Sequence, residues 1–439
     1  MKVWKIKKGH DFRIRTRHPW VFSNELLDSP KGILGGEEIE LQDMQGHFLA
    51  RGYGNPQSLI SFRAMSFLSK EEFRMSVKFL TERLLQAWRY RQRLGLNKSF
   101  RLCFSEADNM PGLILDRYVF EKNAKTYQVF SYQLLTSGMD VAFKKENQWE
   151  SILKSLSEEA VNGGLSNIGW DNTVVLQRND VNIRKLEGLL VEEPKILKTV
   201  DDENLTDIQI QVQGALDPSQ VILFHVNLPE GQKTGFFLDQ TFNIKLLLLH
   251  LETQKHLLKN RTVRILDLCC YMGQWSAQIA AQLKAWGIAS EVYLVDVSEL
   301  ALQMAQKNLQ AYTSNIVCIK QDVLNLEEVA ELKNKKFDAV ISDPPAFVKN
   351  KKDIHQGLHA YTKLNTQAFK YCDSGAVIVS CTCSGLVQLE DFKESLRKAI
   401  LKSGASAKCL AYGGQGWDHP HLMNFPEGYY LKMVMHQID

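Results

Sequence analysis

Two short stretches carry residue types that, taken together, point to one kind of chemistry. Asp343-Pro344-Pro345-Ala346-Phe347 follows the apolar run FDAVIS. Two successive prolines fix φ and remove two backbone donors, so they stiffen the chain into a ledge. An acid and an aromatic ring on such a ledge can clamp a planar base, Asp343 by a hydrogen bond and Phe347 by stacking. Cys381-Thr382-Cys383-Ser384-Gly385 closes the apolar run AVIVS. Alternation puts Cys381 and Cys383 on one face, with Cys383 nearer the carboxyl end of the strand, where ligands bind in open α/β sheets. A lone cysteine there is more often structural, but one beside a base ledge is a candidate nucleophile. The chemistry that needs both is methylation at carbon. Pyrimidine C5 is too weak a nucleophile to attack a sulfonium methyl group, and a thiolate added at C6 makes it enamine-like. A base then removes the C5 proton and the thiolate leaves. Methylation of an exocyclic amine needs no thiol, so Cys383 separates the two reaction types.

A methyl donor needs its own site. Residues 263–276, VRILDLCCYMGQWS, read as a buried strand that reaches Asp267, turns through Tyr271, Met272 and Gly273, and enters a helix at Ser276. Gly273 is the only glycine of the turn, whereas a dinucleotide pyrophosphate needs several for close backbone approach. A cationic, phosphate-free nucleoside such as S-adenosylmethionine needs fewer glycines and prefers carboxylates. Asp296 ends the next strand, 23 residues after Gly273, where a doubly wound fold places an acid on ribose hydroxyls. Its plain alternative is a cap for the helix that follows. Asp322 ends a further strand and could accept from an adenine amino group; its plain alternative is a solvated loop acid.

The elements that must position these residues alternate in type. From about residue 205, strand patterns at IQIQVQGAL, VILFHVNL, VRILDLCC, EVYLVDV, NIVCIKQD, FDAVISD and AVIVSCTC are interleaved with helix patterns at 241–259, 276–286, 298–311, 326–333, 356–372 and 388–402. AKCLAYGG and YYLKMVMHQ close the chain as a hairpin. This pattern predicts a doubly wound, mostly parallel sheet. Residues 1–70 read instead as a small β-rich unit, and 71–88 switch to helix period with Phe73, Val77, Leu80, Leu84 and Trp88 on one face. A hairpin with a turn at Pro111-Gly112 and further strand and helix follow to about 204, where VDDENLTD reads as a linker or exposed loop. Three domains are expected, at 1–70, 71–204 and 205–439.

With 439 residues, 44% hydrophobic and 23% charged, the chain has ordinary globular composition. A net charge of +3 permits nucleic-acid binding without requiring it. The charge is uneven: residues 1–20 hold seven Lys/Arg against one acid. There Lys7, Lys8, Arg13, Arg15, Arg17 and His18 interleave with Trp4, Phe12, Trp20 and Phe22, a mixture that suits RNA phosphates and stacked bases. A solvated basic edge over a small aromatic core would give the same pattern. The eight cysteines include no C-x-x-C pair, which argues against a zinc ribbon, and no metal site is expected. Neither a signal-peptide segment nor an apolar run of about 18 residues is present, so no membrane span and a reducing, cytoplasmic location are expected.

At these residues the chain resembles the class I S-adenosylmethionine-dependent methyltransferases of the RlmI type, which make 5-methylcytosine in bacterial large-subunit (23S) ribosomal RNA. RTRHPWVFSNEL in residues 16–27 looks like the start of that family's N-terminal PUA domain, an RNA-binding β-barrel. SEADNMPGLILDRY and RKLEGL look like its central α+β domain. GQKTGFFLDQ, DLCCYMGQWS, DPPAFVKNKKD, CTCSG and FPEGYYLK look like motifs of its Rossmann-like catalytic domain. The resemblance implies that Asp267, Tyr271 and Gly273 line the cofactor, Asp296 its ribose and Asp322 its adenine, with Asp239 and Gln240 near the methionine end. It implies that Asp343 holds the cytosine and Cys383 attacks it. Lys7, Lys8, Arg13, Arg15, Arg17 and Phe347 are the RNA-contact candidates. The chain departs from the family at Thr241 and Ile244, where arginines are usual, and at Gln274, where glycine is usual. The alternatives are a guanine N2 methyltransferase and a non-catalytic RNA-binding assembly factor. The general base and the oligomeric state, a homodimer included, stay open.

Overall fold

The structure is a computed structural model that describes residues 1–439, the side chain of Glu328 excepted. The chain divides into two compact units. The first comprises Met1–Gln211, Asn227–Phe236 and Trp417–Gly428; the second comprises Val212–Val226, Phe237–Gly416 and Tyr429–Asp439.

In the first unit, residues 1–70 form a five-stranded sheet in the order Lys2–Lys5, Glu37–Gln42, Phe48–Gly54, Ile60–Ser66, Trp20–Phe22. The resemblance implied a barrel, but the described strands form an open sheet. Its two edge strands hold only four and three residues, and just beyond them the chain pairs briefly: the Lys7 amide donates to the Glu25 carbonyl and the Leu27 amide to the Lys5 carbonyl, each at 2.8 Å, around the single bridge Ile6–Leu26. Trp4, Ile14, Val21, Ile39, Leu41 and Phe62 fill its core. The next helix starts later than its period suggests, at Val77 rather than 71, and runs to Arg93. Ser76 caps it by accepting from the Phe79 amide at 3.3 Å. The preceding residues are held elsewhere: Arg51 donates to the carbonyls of Ser69 and Glu71, and the Met75 amide donates to Glu38. That helix packs on a second sheet built around the long hairpin Leu113–Lys122 and Lys125–Leu134. The acidic stretch after residue 200 is a loop tied down by Lys122 on Glu203 and Tyr127 on Asp201.

The second unit holds the alternating pattern. Its sheet runs in the order Asn315–Lys320, Ser290–Asp296, Val263–Leu268, Phe337–Ser342, Cys372–Thr382, Lys432–Ile438, Ala407–Gly414. The first five are mutually parallel and the last two form the closing antiparallel hairpin. Helices Gln274–Ala285 and Glu299–Leu309 link the first three strands; Ile354–Tyr371 and Leu389–Ser403 follow the next two. Right-handed crossovers wind the two sets in opposite directions from the centre. Strand order therefore reverses between Val263–Leu268 and Phe337–Ser342, and the carboxyl ends at that reversal are where such sheets bind ligands. The helix expected over 326–333 is two short 3-10 turns, Val323–Glu328 and Ala330–Leu332. The backbone leaves helical angles inside the first, at Asn325 (φ −131°), and is extended at Val329 between the two, so no run here is long enough for an α-helix. The helix expected over 241–259 breaks at Gln254 into Thr241–Thr253 and Lys255–Leu258. Among the described residues no helix is long and apolar enough to cross a membrane.

Candidate active site

Four carboxylates converge at the sheet reversal. Asp267, Asp296, Asp322 and Asp343 all act electrostatically on one thiol, that of Cys269, and together with burial they push it well above its ordinary range. Asp267 is 1% exposed on the last turn of its strand. Its Oδ2 accepts from Ser276 Oγ at 2.6 Å, and its Oδ1 is buried with no hydrogen-bond partner among the described residues. Burial, reinforced by the charges of Asp343 and Asp296, raises its carboxyl to about 7, against the Ser276 bond. A buried carboxylate with an orphaned oxygen fits a cationic ligand.

The turn after it is shaped for close approach. Cys269 and Tyr271 have φ of +63° and +48°, and Gly273 has +74°. A Cβ on Gly273 would sit 2.9 Å from Leu309 Cδ1, so glycine is needed there on two counts. Gly273 also ends the loop one residue before the helix, which starts at Gln274 rather than Ser276. The Tyr271 amide donates to Asp296 Oδ2 at 3.0 Å, and the Ser298 amide to Oδ1 at 2.9 Å. Asp296 therefore ties two loops together. The cap of the next helix is Ser298, which accepts from Ala301. A carboxylate has about four acceptor positions, so two remain for vicinal hydroxyls. Asp322 is exposed and caps the short turn behind it by accepting from Leu324 at 2.9 Å. The Tyr271 ring meets Phe237 edge-on at 5.2 Å.

Asp239 and Gln240 are buried just before the helix Thr241–Thr253. Asp239 accepts from Tyr430 Oη at 2.5 Å, and Gln240 donates to Asp343 Oδ2 at 2.8 Å. Asn243 donates to Gln240 Oε1, which fixes the amide's orientation. The same Asp343 oxygen accepts from Trp275 Nε1 at 3.0 Å. Thr241 bonds its own turn at the Leu238 carbonyl, and Ile244 is fully buried, so neither adds charge where the family usually has arginine.

The ledge and the cysteine turn are one assembly. Cys383 lies just past the end of its strand, half-buried, with Sγ 4.0 Å from the Pro344 carbonyl. Cys381 lies within the strand and is fully buried, and burial pushes its thiol far up. Tyr361, on the helix Ile354–Tyr371, joins the parts: its hydroxyl accepts from Thr382 at 2.7 Å and from the Phe347 amide at 3.4 Å, and pairs with Ser384 at 2.9 Å. Ser384 in turn accepts from the Val348 amide at 3.2 Å. Gly357 lets that helix approach, since a Cβ there would lie 2.2 Å from Val348 Cγ2. Phe347 is half-buried and tilted against Tyr361 at 4.8 Å.

In the first unit the basic segment is divided. Arg15 pairs with Asp11 and Asp43, Arg13 reaches Glu427 and lies over Phe22, and Lys7 donates to the Asn24 carbonyl. Lys8 and Arg17 are exposed and, among the described residues, form no ion pair; Arg17 stands at φ +63°. Of the aromatic residues, Trp4 is core and Trp20 donates to Glu106, while Phe12 is exposed.

Sequence reasoning did not single out Trp275, Tyr361 or Tyr430 as supports of the site. Trp275, Tyr430, Ser276 and Ser384 all stood inside motifs already marked, but their bonding to Asp343, Asp239, Asp267 and Val348 is a tertiary fact.

Comparison with known proteins bears on both units. Residues 5–67 match the PUA-like domain family and 238–379 the Methyltransferase small domain family. The chain is 30% identical over 440 residues to the ribosomal RNA large subunit methyltransferase I of Serratia proteamaculans, covering 97% of each chain. It is 31% identical over 435 residues to that of Tolumonas auensis, again over 97% of both. Among solved structures it superposes, at 16% identity and full coverage of both chains, on a Streptococcus mutans chain described as a SAM-dependent methyltransferase, with a TM-score of 0.71. A methyltransferase described as complexed with SAH superposes equally fully, with a TM-score of 0.72. Those two likenesses establish the fold.

Proposed function

Since this chain belongs to the ribosomal RNA large subunit methyltransferase I family, we propose that it methylates C5 of a cytosine in large-subunit ribosomal RNA, with S-adenosylmethionine as methyl donor and Cys383 as nucleophile. The donor's sulfonium carries a positive charge, and the carboxylates around Cys269 form an anionic end to the sheet that suits it. Asp296 would hold the ribose, Asp322 the adenine, and Asp239, Gln240, Asp267, Tyr271 and Gly273 the remainder. When bound, the donor supplies an electrophilic methyl group.

The observation that carries the C5 reading is the position of Cys383. Its sulfur borders the Asp343-Pro344-Pro345 ledge, while the other thiol of the motif is sealed in the sheet. Amine methylation would give no use to that placement. Asp343, held by Gln240 and Trp275, would bind the cytosine edge; Cys383 would add to C6 and leave after C5 has lost its proton. The exposed Lys8 and Arg17 would meet RNA phosphates, and the exposed Phe12 an unstacked base.

Nucleoside mass spectrometry on large-subunit RNA, with and without the gene, tests this. Loss of 5-methylcytidine at one position, restored by the wild-type gene and not by Cys383→Ala, is the expected result. Loss of a methylguanosine instead would assign the site to amine methylation.

A further inference from the structure

Beyond Val348 the chain that forms the ledge turns basic. Residues 349–371 hold five lysines, Lys349, Lys351, Lys352, Lys363 and Lys370, against one acid, Asp353. The 3-10 turn Lys351–Asp353 runs straight into the helix Ile354–Tyr371, which contains no Asp or Glu. Gly357, Tyr361, Leu364 and Ala368 bury the inner face of that helix, which leaves His355, His359 and Lys363 exposed at successive steps of four on the outer one. Lys349, Lys351 and Lys352 are exposed as well, and among the described residues none of their ammonium groups is ion-paired. Asp353 accepts from the Asn350 amide group at 3.1 Å instead. The far end of the helix differs: Lys370 pairs with Glu327 at 3.2 Å, and Lys363 donates to Asn325 Oδ1 at 3.4 Å. Free positive charge is therefore concentrated at the ledge end.

That end is fixed against the ledge. A Cβ on Gly357 would lie 2.2 Å from Val348 Cγ2 and 3.1 Å from the Phe347 carbonyl oxygen, so the first helical turn lies directly on it. The chain from Asp343 to Lys349 spans at most about 21 Å. An enzyme that works on a base takes it out of its stack, which brings the flanking phosphates to the same edge. Asp267, Asp296, Asp322 and Asp343 converge there and would repel them. Unpaired cations beside the ledge offset that repulsion.

We propose that Lys349, Lys351 and Lys352, continued by His355 and His359, form an RNA-docking face of the catalytic unit, which grips the backbone phosphates flanking the base held on the Asp343 ledge. The inference rests on reading that ledge as the site of an RNA base. Ammonium groups bind phosphate as point charges and read no sequence, and each imidazole adds an N–H donor. Such contacts fix the register of the strand, while the ledge meets the base itself.

The probe is a fluorescein-labelled, unstructured RNA oligonucleotide holding a single cytosine. Its binding to the full-length protein is followed by anisotropy across a salt series. With Lys349→Ala, Lys351→Ala and Lys352→Ala combined, binding at low salt should weaken about ten-fold or more. The log–log salt slope should flatten by about 2, from three single-strand contacts at about 0.7 each. Lys349→Arg, Lys351→Arg and Lys352→Arg together keep the charge and should restore the wild-type slope. Lys370→Ala removes a cation already paired with Glu327 and should leave the slope almost unchanged. Thermal melts and S-adenosylhomocysteine calorimetry on the alanine variant should match wild type, which separates the docking face from the fold and the donor site. A wild-type slope in the folded alanine variant overturns the proposal, as does an equal loss in Lys370→Ala, which would reduce the effect to net charge. Wild-type protein that binds the RNA with no salt dependence, or does not bind it, would instead overturn the RNA reading of the ledge.

Discussion

Trp275 Nε1 donates to Asp343 Oδ2 at 3.0 Å, so the helix that follows the Gly273 turn holds the acid at the end of the next strand in the sheet. Gln240 reaches the same oxygen from another direction. Trp275→Phe keeps most of the ring and removes the donor. A hydrogen bond to a charged group contributes about 1.5–3 kcal/mol, so single-turnover methylation should slow roughly ten- to hundred-fold. The melting temperature should move little, since Gln240 still satisfies the oxygen.

With Asp267 in the proposed donor site, donor binding should depend on pH. Its folded-state carboxyl sits at about 7, above the ordinary value of an unfolded chain. The stability it contributes is therefore present below the ordinary carboxylate pKa and is lost as pH rises through 7. A bound cation favours the ionised form and reverses that preference. Affinity for S-adenosylmethionine should rise about ten-fold from pH 6 to pH 8, with proton release on binding. Calorimetry in buffers of different ionisation heat measures both. Ser276→Ala, which removes the bond favouring the carboxylate, should move the transition to higher pH.

The two cysteines of the CTCSG motif should respond oppositely. Cys381→Ala empties a fully buried site and should cost about 1 kcal/mol of stability with turnover retained. Cys383→Ala should leave the melt nearly unchanged and abolish turnover. Retained turnover in the second variant would remove the thiol from the reaction.

RNA binding should weaken with salt, and the basic residues should divide as their partners do. Lys8→Ala and Arg17→Ala should each flatten the log–log salt slope by about 1. Arg15→Ala should change the slope less and lower thermal stability, because its guanidinium serves Asp11 and Asp43. Fluorescence anisotropy across a salt series reads the slope.

Gly273→Ala would put a side chain at φ +74° and against Leu309. Strain of this kind costs about 1–3 kcal/mol. A lower melting temperature and weakened donor binding are expected together, since the turn and the Tyr271 amide move as one.

Much of the catalytic unit can be read along the chain because its strands are buried runs ended by an acid or a proline. VRILD, EVYLVD and FDAVISD announce both the parallel sheet and the carboxylates at its edge. Where the reading slipped, an unseen contact decided. The helix begins at Val77 and not at 71 because Arg51 and Glu38 of the first sheet occupy the backbone of 69–75. Residues 323–332 form only short 3-10 turns because the backbone leaves helical angles at Asn325 and again at Val329.

The sequence by itself determined the chemical inventory: the order of strands and helices, the acids at strand ends, the stiff proline ledge and a thiol motif with two candidates. These follow from residue type and period, which are local. Only the tertiary structure decided which thiol is sealed and which borders the ledge, and that Trp275 and Gln240 share one oxygen of Asp343. Each of these sets residues 39 to 103 positions apart in the chain within reach of one another. Burial and charge are properties of that assembled neighbourhood, so no run of residues carries them.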